Sequence, residues 1–316
     1  MISQPDQKIT DLLKTNAFTR SAEIVPPRNG VPMQVILDQI AALIAAGAQF
    51  LAVTKGAGGS LRGGSLPIAQ LIKERFHVPC IAHFTCRDLL PEEVENQLID
   101  HHLFGIRNIL ALRGDPPVGE KNWQPREGSY PYAYQLTEQI RALNDGRYLE
   151  RKGFSVHERE RTDFCIGAAV YPDHSNLEEQ IEFFKKKVDA GAEFAITQML
   201  FNADSYARFV DACAKAGLNV PILPGTRLLH SKKQAHRMAE RFQISVAPTL
   251  LQQLPEQDAA SQDAALETFS RFTDELRTKG APGLHLFVLS DTELAACFLK
   301  QLQTKNALIH DRTSPN

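Results

Sequence analysis

Glu23 is an acidic residue within an apolar run of the sequence. Its neighbours are Ala22 and Ile24, and an ionised carboxylate is costly to bury in such surroundings. Burial favours the protonated form, so Glu23 has the properties expected of a general acid. The structural alternative is a salt bridge from Glu23 to Arg28 or to another cation.

A second charged group follows another apolar run. Arg113, Gly114 and Asp115 come directly after NILAL at 108–112, and two prolines then fix the direction of the chain. The cation can hold a phosphate, and the acid can face a polarised ring or a developing positive charge. The structural alternative is a local ion pair between Arg113 and Asp115.

Neutral and basic groups complete the set of candidates. Gln198 both donates and accepts hydrogen bonds, which suits the edge of an amide-like heterocycle. Tyr171 and His174 offer stacking and hydrogen bonding, and one lysine of 185–187 could reach a phosphate, although such runs are most often solvated helix faces. The glycine-rich stretch 56–59 exposes backbone amides to anions but lacks the P-loop pattern. Together these groups indicate a phosphate-bearing aromatic cofactor, an acid and a heterocyclic substrate.

Eight short β-rich runs must position these residues. The runs are 22–27, 50–54, 79–86, 108–114, 164–172, 194–200, 221–225 and 284–290. Several are almost continuously apolar, as expected of parallel strands that are covered by helices. The candidate polar residues lie within or just after the C-terminal halves of these runs.

Segments with helical periodicity lie between the strands. They are 33–47, 92–104, 132–144, 177–190, 203–216 and 231–242. The first segment is predicted to bury one face at helical spacing, formed by Val35, Ile36, Ile40, Leu43 and Ile44. Glycines that can supply a left-handed cap close several segments: Gly47, Gly105, Gly191 and Gly217.

The repeated alternation of strand and helix predicts an α/β fold, a (β/α)8 TIM barrel. We expect residues 1–316 to form a single domain, with an N-terminal helix and with extra helix in 252–279 before the last strand. The alternative is a doubly wound open sheet, which is disfavoured because no GxGxxG follows the first strand. In a TIM barrel the chemistry gathers at the C-terminal ends of the strands.

Composition excludes several classes of protein. The net charge is −2 and 43 % of the 316 residues are hydrophobic, so extensive disorder is not expected. No apolar run reaches about 18 residues and no secretory signal is visible, so we expect neither a membrane span nor export. A pI of about 6.6 argues against electrostatic nucleic-acid binding. Five cysteines without a CxxC pair indicate no zinc site and a reducing, cytoplasmic compartment.

Six collinear stretches resemble the methylenetetrahydrofolate reductase family. They are AEIVPPR (22–28), VTKGAGGS (53–60), AHFTC (82–86), GIRNILALRGDPP (105–117), FCIGAAVYP (164–172) and KVDAGAEFAITQ (187–198). The fourth and sixth stretches are the most specific. The similarity runs from about residue 20 to about 225, and more weakly to about 300. This resemblance implies a TIM barrel that binds FAD at the C-terminal ends of its strands.

The resemblance also implies a ping-pong reaction. NADH or NADPH delivers hydride to FAD and leaves. The substrate 5,10-methylenetetrahydrofolate then takes its place, opens to an iminium ion and is reduced to 5-methyltetrahydrofolate. Such an enzyme serves one-carbon metabolism and methionine biosynthesis. Relatives in the family form homo-oligomers, so we expect one here, with a small-molecule substrate and no nucleic-acid or membrane partner.

The same resemblance implies roles for individual residues. Glu23 would be the general acid that protonates the folate, Asp115 would lie near flavin and pterin and stabilise the cationic intermediate, and Gln198 would hold the folate ring. Glu23 and Asp115 are therefore the expected catalytic residues, and both also contact substrate. FAD contacts are expected at Thr54, His83, Leu112, Arg113, Gly114, Asp115, Ala133, Tyr171, His174 and Lys187. No metal is implied.

Three positions depart from the family pattern. Gln180 replaces an aspartate often linked to FAD, Lys232 replaces an aromatic that packs on substrate or nicotinamide, and Asp291 replaces an arginine that resembles a folate glutamate anchor. An anion at 291 cannot pair with the carboxylates of the folate tail. The alternative to a working flavin reductase is a tetrahydrofolate-binding relative that lacks FAD or acts only with a partner protein.

Overall fold

Eight parallel strands close into a barrel in the computed structural model, which describes residues 3–56, 60, 63–117, 119–120, 122–150, 159–257 and 262–313. The strands follow one another around the barrel in chain order, and the last pairs with the first. They are β1 (Thr19–Ile24), β2 (Phe50–Val53), β3 (Cys80–Thr85), β4 (Asn108–Leu112), β5 (Cys165–Val170), β6 (Phe194–Met199), β7 (Ile222–Thr226) and β8 (Gly283–Phe287). This architecture confirms the predicted TIM barrel and excludes the open sheet.

Helices surround the barrel and connect its strands. They are α1 (Ile9–Thr15), α2 (Gln34–Ala45), α3 (Ser65–Phe76), α4 (Pro91–Leu103), α5 (Ala133–Asn144), α6 (Leu177–Asp189), α7 (Ala203–Lys215), α8 (Lys232–Phe242), α9 (Pro248–Gln253), α10 (Asp263–Thr278) and α11 (Thr292–Thr313). The N-terminal helix is α1, and α10 lies within the segment 252–279 in which extra helix is predicted, whereas α9 begins earlier, at Pro248. Within the described residues, no helix is both long and apolar enough to cross a membrane.

The sequence prediction was wrong in two places. The first strand begins at Thr19 rather than Ala22, because Thr19 and Arg20 pair with β8 and their polar side chains give no apolar signal. Val35 does not share the buried face of α2, since it is 65 % exposed while Ile36 is buried. Adjacent helical residues point about 100° apart, so Val35 lies outside the apolar stripe.

Side chains alternate between the barrel interior and the surrounding helices because successive residues of a strand face opposite ways. The interior apolar cluster comprises Ile9, Leu13, Phe50, Ala52, Ile81, Leu110, Cys165, Phe194, Ile196 and Leu223. Its members Ile9 and Leu13 belong to α1, so this helix covers the N-terminal end of the barrel. A Cβ on Gly167 would lie 2.5 Å from the Phe194 ring, so glycine is required there for the ring to fit.

Asp6 ties the segment before α1 to the starts of β3 and β4. Its carboxylate accepts hydrogen bonds from Cys80 N and Asn108 Nδ2, both at 3.0 Å. Asn108 Oδ1 in turn accepts from Ile9 N at 2.9 Å. Burial raises the pKa of Asp6 to about 6, against the lowering effect of hydrogen bonds from the backbone of Cys80 and Arg107.

The raised pKa of Asp6 predicts a pH-dependent stability. The folded protein binds a proton at Asp6 more tightly than the unfolded chain, so this stabilisation is lost as pH rises through about 6. We expect Asp6 to lower the free energy of unfolding by about 2 kcal/mol between pH 4 and pH 7. In Asp6→Asn this component of the slope should disappear from urea unfolding curves recorded across that range.

The exposed Asp11 on α1 provides a matched control. Asp11→Asn should keep the wild-type dependence of unfolding free energy on pH. An unchanged slope in Asp6→Asn would show that other groups cause the dependence.

Candidate active site

Glu23 lies inside the barrel near the C-terminal end of β1, with its side chain 11 % exposed. Its Oε2 atom is 3.3 Å from His83 Nε2 on β3 and 3.7 Å from His285 Nε2 on β8. Arg28, the cation considered from the sequence, is exposed. The ionisable neighbours that the structure gives Glu23 among the described residues are therefore two imidazoles.

A hydrogen bond to Ser21 sets the orientation of His285. Ser21 Oγ is 3.2 Å from Leu284 O and 2.9 Å from His285 Nδ1. A hydroxyl that donates its single proton to the carbonyl must accept the Nδ1 proton of His285. In this tautomer the neutral ring directs the Nε2 lone pair toward Glu23. Lone pairs on both atoms would repel, so a proton on Glu23 or on Nε2 is needed for a favourable contact.

Three buried polar atoms in this region have no hydrogen-bond partner among the described residues: Thr54 Oγ1, His83 Nε2 and His285 Nε2. Burial lowers the pKa of His83; Glu23 opposes this effect, and His285 adds to it. The His83 ring is therefore neutral at pH 7. Unsatisfied buried groups are rare in folded proteins, and here two of these three, on His83 and His285, face the same acid. This clustering is characteristic of a place where a ligand supplies the missing partners.

The turn after β4 presents Arg113 and Asp115 at the barrel rim, where both are exposed. Gly114 between them has φ +94°, and a Cβ there would lie 3.0 Å from Arg87 Cβ and 3.2 Å from Thr85 Cβ. The Asp115 carbonyl accepts a hydrogen bond from Arg87 Nη1, and Arg113 Nε donates to Gly114 O at 3.3 Å. Gly114 thus permits a tight turn in which the flanking residues Arg113 and Asp115 are both exposed.

Tyr171 and His174 follow β5 on the same rim, and both are exposed. Burial of its hydroxyl raises the pKa of Tyr171, and the negative charge of Asp115 raises it further. Asp115 and Tyr171 are therefore neighbours across the β4 and β5 ends. His174 Nδ1 accepts from Asn176 N at 3.2 Å, so its neutral ring offers Nε2–H as a donor.

The three lysines of α6 have different surroundings. Lys185 and Lys186 form ion pairs with Asp189 and Glu182, both at 2.9 Å, as a solvated helix face does. Lys187 instead donates to Ala169 O at 2.7 Å and lies 5.9 Å from the Tyr171 ring centroid. Burial lowers the pKa of Lys187 to about 8. Of the run, only Lys187 points toward the rim residues.

A bulge in β6 positions Gln198. The register with β7 shifts between Ile196 and Met199, and Thr197 Oγ1 accepts the hydrogen bond of Gly225 N at 2.8 Å. Gln198 Oε1 accepts from Met199 N at 2.8 Å. Its amide nitrogen has no hydrogen-bond partner among the described residues. Bulges re-aim side chains, and here the result is an amide donor available at the barrel mouth.

The remaining predicted residues lie on the same edge of the barrel. Leu112 ends β4, Thr54 directly follows β2, and Ala133 begins α5. The predicted cofactor residues therefore follow consecutive strands from β2 to β5, between Glu23 on one side and Gln198 on the other. Residues 57–59 and 61–62 of the glycine-rich stretch lie outside the described residues, so its anion-binding role stays a prediction.

Sequence analysis did not assign roles to Ser21, His285 or Lys55. The two-residue spacing of Ser21 and Glu23 is the signal that places both inside the barrel. Lys55 lies on the outer side of β3: its Nζ donates to Gln97 on α4 at 2.7 Å and lies 4.3 Å from the Phe84 ring centroid. Burial lowers the pKa of Lys55 to about 8. Within the described part of the chain, no group of acidic, histidine and cysteine side chains could hold a metal.

Two of the departures from the family pattern are engaged in ion pairs. Lys232, at the start of α8, lies 2.5 Å from Glu256. Asp291 lies 2.7 Å from Arg227, which directly follows β7. Gln180 is in the first turn of α6, where its backbone N donates to Asn176 O at 3.3 Å. Each of the three residues that depart from the family pattern, Gln180, Lys232 and Asp291, thus makes a contact with a neighbouring segment of the chain.

Comparisons with known proteins identify relatives over nearly the whole chain. The family model described as methylenetetrahydrofolate reductase matches residues 8–303. The chain is 29 % identical over 295 residues to 5,10-methylenetetrahydrofolate reductase of Escherichia coli, covering 91 % of this chain and 92 % of that protein. It is 28 % identical over 300 residues to methylenetetrahydrofolate reductase (NADH) 1 of Arabidopsis thaliana, covering 93 % of this chain. In that comparison the chain spans about half of the relative's length, 50 %.

A solved structure shares the fold. It is described as an uncharacterized protein from Clostridium thermocellum that binds two copies of 5-methyl-5,6,7,8-tetrahydrofolic acid. The TM-score is 0.58 with 14 % sequence identity, covering 93 % of this chain and 98 % of the other. At this level of identity the similarity concerns the fold alone.

The environment of Gly225 predicts a stability effect at the barrel mouth. A Cβ there would lie 2.5 Å from the Phe287 ring and 2.6 Å from Thr197 O. We expect Gly225→Ala to lower the free energy of unfolding by about 1–3 kcal/mol through overpacking, as measured by urea denaturation. Gly63→Ala is the control, since its nearest neighbour would be Asn29 Oδ1 at 3.7 Å. Equal unfolding midpoints for the two variants would contradict the expected clash.

Proposed function

This chain belongs to the methylenetetrahydrofolate reductase family, and we propose that it reduces 5,10-methylenetetrahydrofolate to 5-methyltetrahydrofolate. The proposed donor is NADH or NADPH, used with FAD in a ping-pong reaction. The observation that carries the proposal is the position of Glu23 inside the barrel mouth, where its side chain is 11 % exposed and Oε2 lies 3.3 Å from His83 Nε2 and 3.7 Å from His285 Nε2. Reduction of this substrate to a methyl group needs such an acid, because a ring C–N bond must break before hydride can be accepted.

The residues at the ends of β2 to β5 fit FAD chemically. Thr54 Oγ1 and His83 Nε2 are buried polar atoms with no hydrogen-bond partner in the part of the chain that the structure describes, and the exposed Arg113 can hold a phosphate. Leu112, Gly114, Ala133, Tyr171, His174 and Lys187 would complete the contacts. When bound, FAD takes hydride from the nicotinamide nucleotide and supplies it to the folate. The protein's contribution is to bind, orient and exclude water.

Glu23 is proposed to act as the general acid. It would donate its proton to the folate nitrogen that leaves as the five-membered ring opens. His285 is held by Ser21 with its Nε2 toward Glu23, so it can hold or return a proton at Oε2 without changing its tautomer. Neutral His83 on the other side adds no competing charge. General acids of this kind contribute about 10²–10⁴-fold to rate.

Gln198 and Asp115 are proposed to recognise the folate and its charge. The free amide nitrogen of Gln198 would donate a hydrogen bond to an acceptor on the edge of the pterin. Asp115 stands exposed at the rim beside Tyr171, where its negative charge would stabilise the cationic ring-opened folate. The carboxyl of Glu23 on β1, the amide of Gln198 on β6 and the carboxylate of Asp115 after β4 would then contact the same substrate.

The absorbance spectrum of the purified protein tests FAD binding and the order of reaction. We expect flavin bands that bleach on anaerobic addition of NADH or NADPH and return on addition of methylenetetrahydrofolate. A colourless protein that takes up no added FAD would contradict the reductase. It would favour the second candidate, a tetrahydrofolate binder that lacks FAD or needs a partner protein.

Replacement of the acid separates its role from that of the cofactor. We expect Glu23→Gln to lower folate reduction by about 10²-fold or more, while reduction of bound flavin by the nucleotide stays close to wild type. Stopped-flow absorbance measures the two half-reactions separately. Glu92→Gln, at an exposed site in the first turn of α4, should leave both unchanged. Intact folate turnover in Glu23→Gln would rule out the acid role.

A further inference from the structure

Arg227 occupies a buried position beside the candidate site that the mechanism does not use. It follows β7 on the same face as Leu223 and Gly225, because alternate residues of a strand point the same way. A small cavity lies between Arg227, Phe287 and Asp291. Phe287 pairs in register with Glu23 across β8 and β1. Arg227 is thus two strand spacings from the acid, about 10 Å around the rim.

One edge of the Arg227 guanidinium carries two N–H groups, and only one of them donates a hydrogen bond to a described residue. Its side chain is 11 % exposed, and Nη2 donates to Asp291 Oδ2 at 2.7 Å. Nε is buried and has no hydrogen-bond partner among the described residues. Nε–H and the adjacent Nη2–H form the edge that binds carboxylates and phosphates through two parallel hydrogen bonds. Asp291 therefore satisfies only one of two donors that a single oxyanion could satisfy together.

Asp291 is suited to be a replaceable counter-ion. A buried guanidinium needs an anion nearby, because an isolated charge is costly to keep out of water. Asp291 is 28 % exposed, more than its partner, and only its side chain would have to move. Its backbone is held by the turn N–H to Val288 O and by the hydrogen bond from Ala295 N, both at 3.0 Å. His230 Nε2, 3.7 Å from the same carboxylate oxygen, could receive the displaced side chain.

We propose that Arg227 is an anion-recognition residue at the barrel mouth, where a carboxylate or phosphate of a bound substrate replaces Asp291. The inference rests on the proposed function for its ligands. It also accounts for the departure at position 291: the sequence resemblance implies a cation there, and this chain supplies one from the neighbouring β7. Two sources carry suitable oxyanions, the glutamyl carboxylates of the folate and the phosphates of the nicotinamide nucleotide.

Equilibrium binding to four probes tests the proposal and distinguishes these sources. The probes are tetrahydrofolate, 6-methyltetrahydropterin (which has the ring without the glutamyl tail), NADH and NADPH. We expect Arg227→Gln to weaken binding of the probe that carries the recognised anion by about 10-fold or more. Asp291→Asn should strengthen it by about 3-fold or more, since the competing carboxylate is gone. Binding of 6-methyltetrahydropterin should not change in either variant.

Two further variants serve as controls. Arg227→Gln leaves Asp291 without its partner, so the double variant Arg227→Gln/Asp291→Asn removes both charges together. It should bind as weakly as Arg227→Gln. Arg271→Gln removes an exposed arginine of α10 and should bind every probe as the wild type does.

Each outcome tests either the anion-recognition role of Arg227 or the proposed function of the protein. Weaker tetrahydrofolate binding with unchanged 6-methyltetrahydropterin binding supports recognition of the folate carboxylates. Weaker binding of NADH or NADPH instead supports recognition of nucleotide phosphate. If Arg227→Gln and the double variant bind all four probes as the wild type does, the anion role is overturned. If the wild type binds neither pterin, the proposed function fails, and the nucleotide probes alone decide the role of Arg227.

Discussion

The two-residue alternation of eight closed parallel strands decides where each polar side chain of the candidate site points. Ser21 and Glu23 both face inward because they are two residues apart on β1, and His285 meets them because β8 pairs with β1. The helices bury the opposite faces in an apolar shell. A slip of one residue in any strand would exchange its interior and exterior side chains. The site therefore depends on the register of the whole barrel.

Buried polar groups lie at both ends of the barrel. At the N-terminal end, Asp6 and Asn108 satisfy each other and the backbone of neighbouring strands, while α1 covers the apolar interior. At the C-terminal end, Thr54, His83 and His285 each have a buried atom to which no described residue donates or accepts a hydrogen bond. Such groups cost about 1–3 kcal/mol each unless a ligand satisfies them. The hydrogen bonds of Asp6 and Asn108 therefore stabilise the fold, and the atoms on Thr54, His83 and His285 lie where the ligand is proposed to bind.

Much of the fold and the chemical type of the site followed from local sequence. Apolar runs located all eight strands, and Glu23 and Asp115 were identified as acids near strand ends. Contacts between distant residues could not be predicted in this way. The hydrogen bond from His285 to Ser21 spans 264 residues, and the ion pair of Arg227 with Asp291 spans 64. The bulge in β6 is also invisible in the residue pattern, because it arises from the mismatch of register between neighbouring strands.

The pairing of β1 with β8 has a consequence for the order of assembly during synthesis. One edge of β1 pairs with β2, but the other has no permanent partner until β8 has left the ribosome, so this edge of Thr19–Ile24 stays open while more than 250 further residues are made. Until then both β1 and the most recently added strand present open edges, which are prone to pairing with other chains. The contact between Glu23 and His285 forms only at closure. Closure of the barrel therefore completes the surroundings of Glu23, the proposed acid, and removes the aggregation-prone strand edges in the same step.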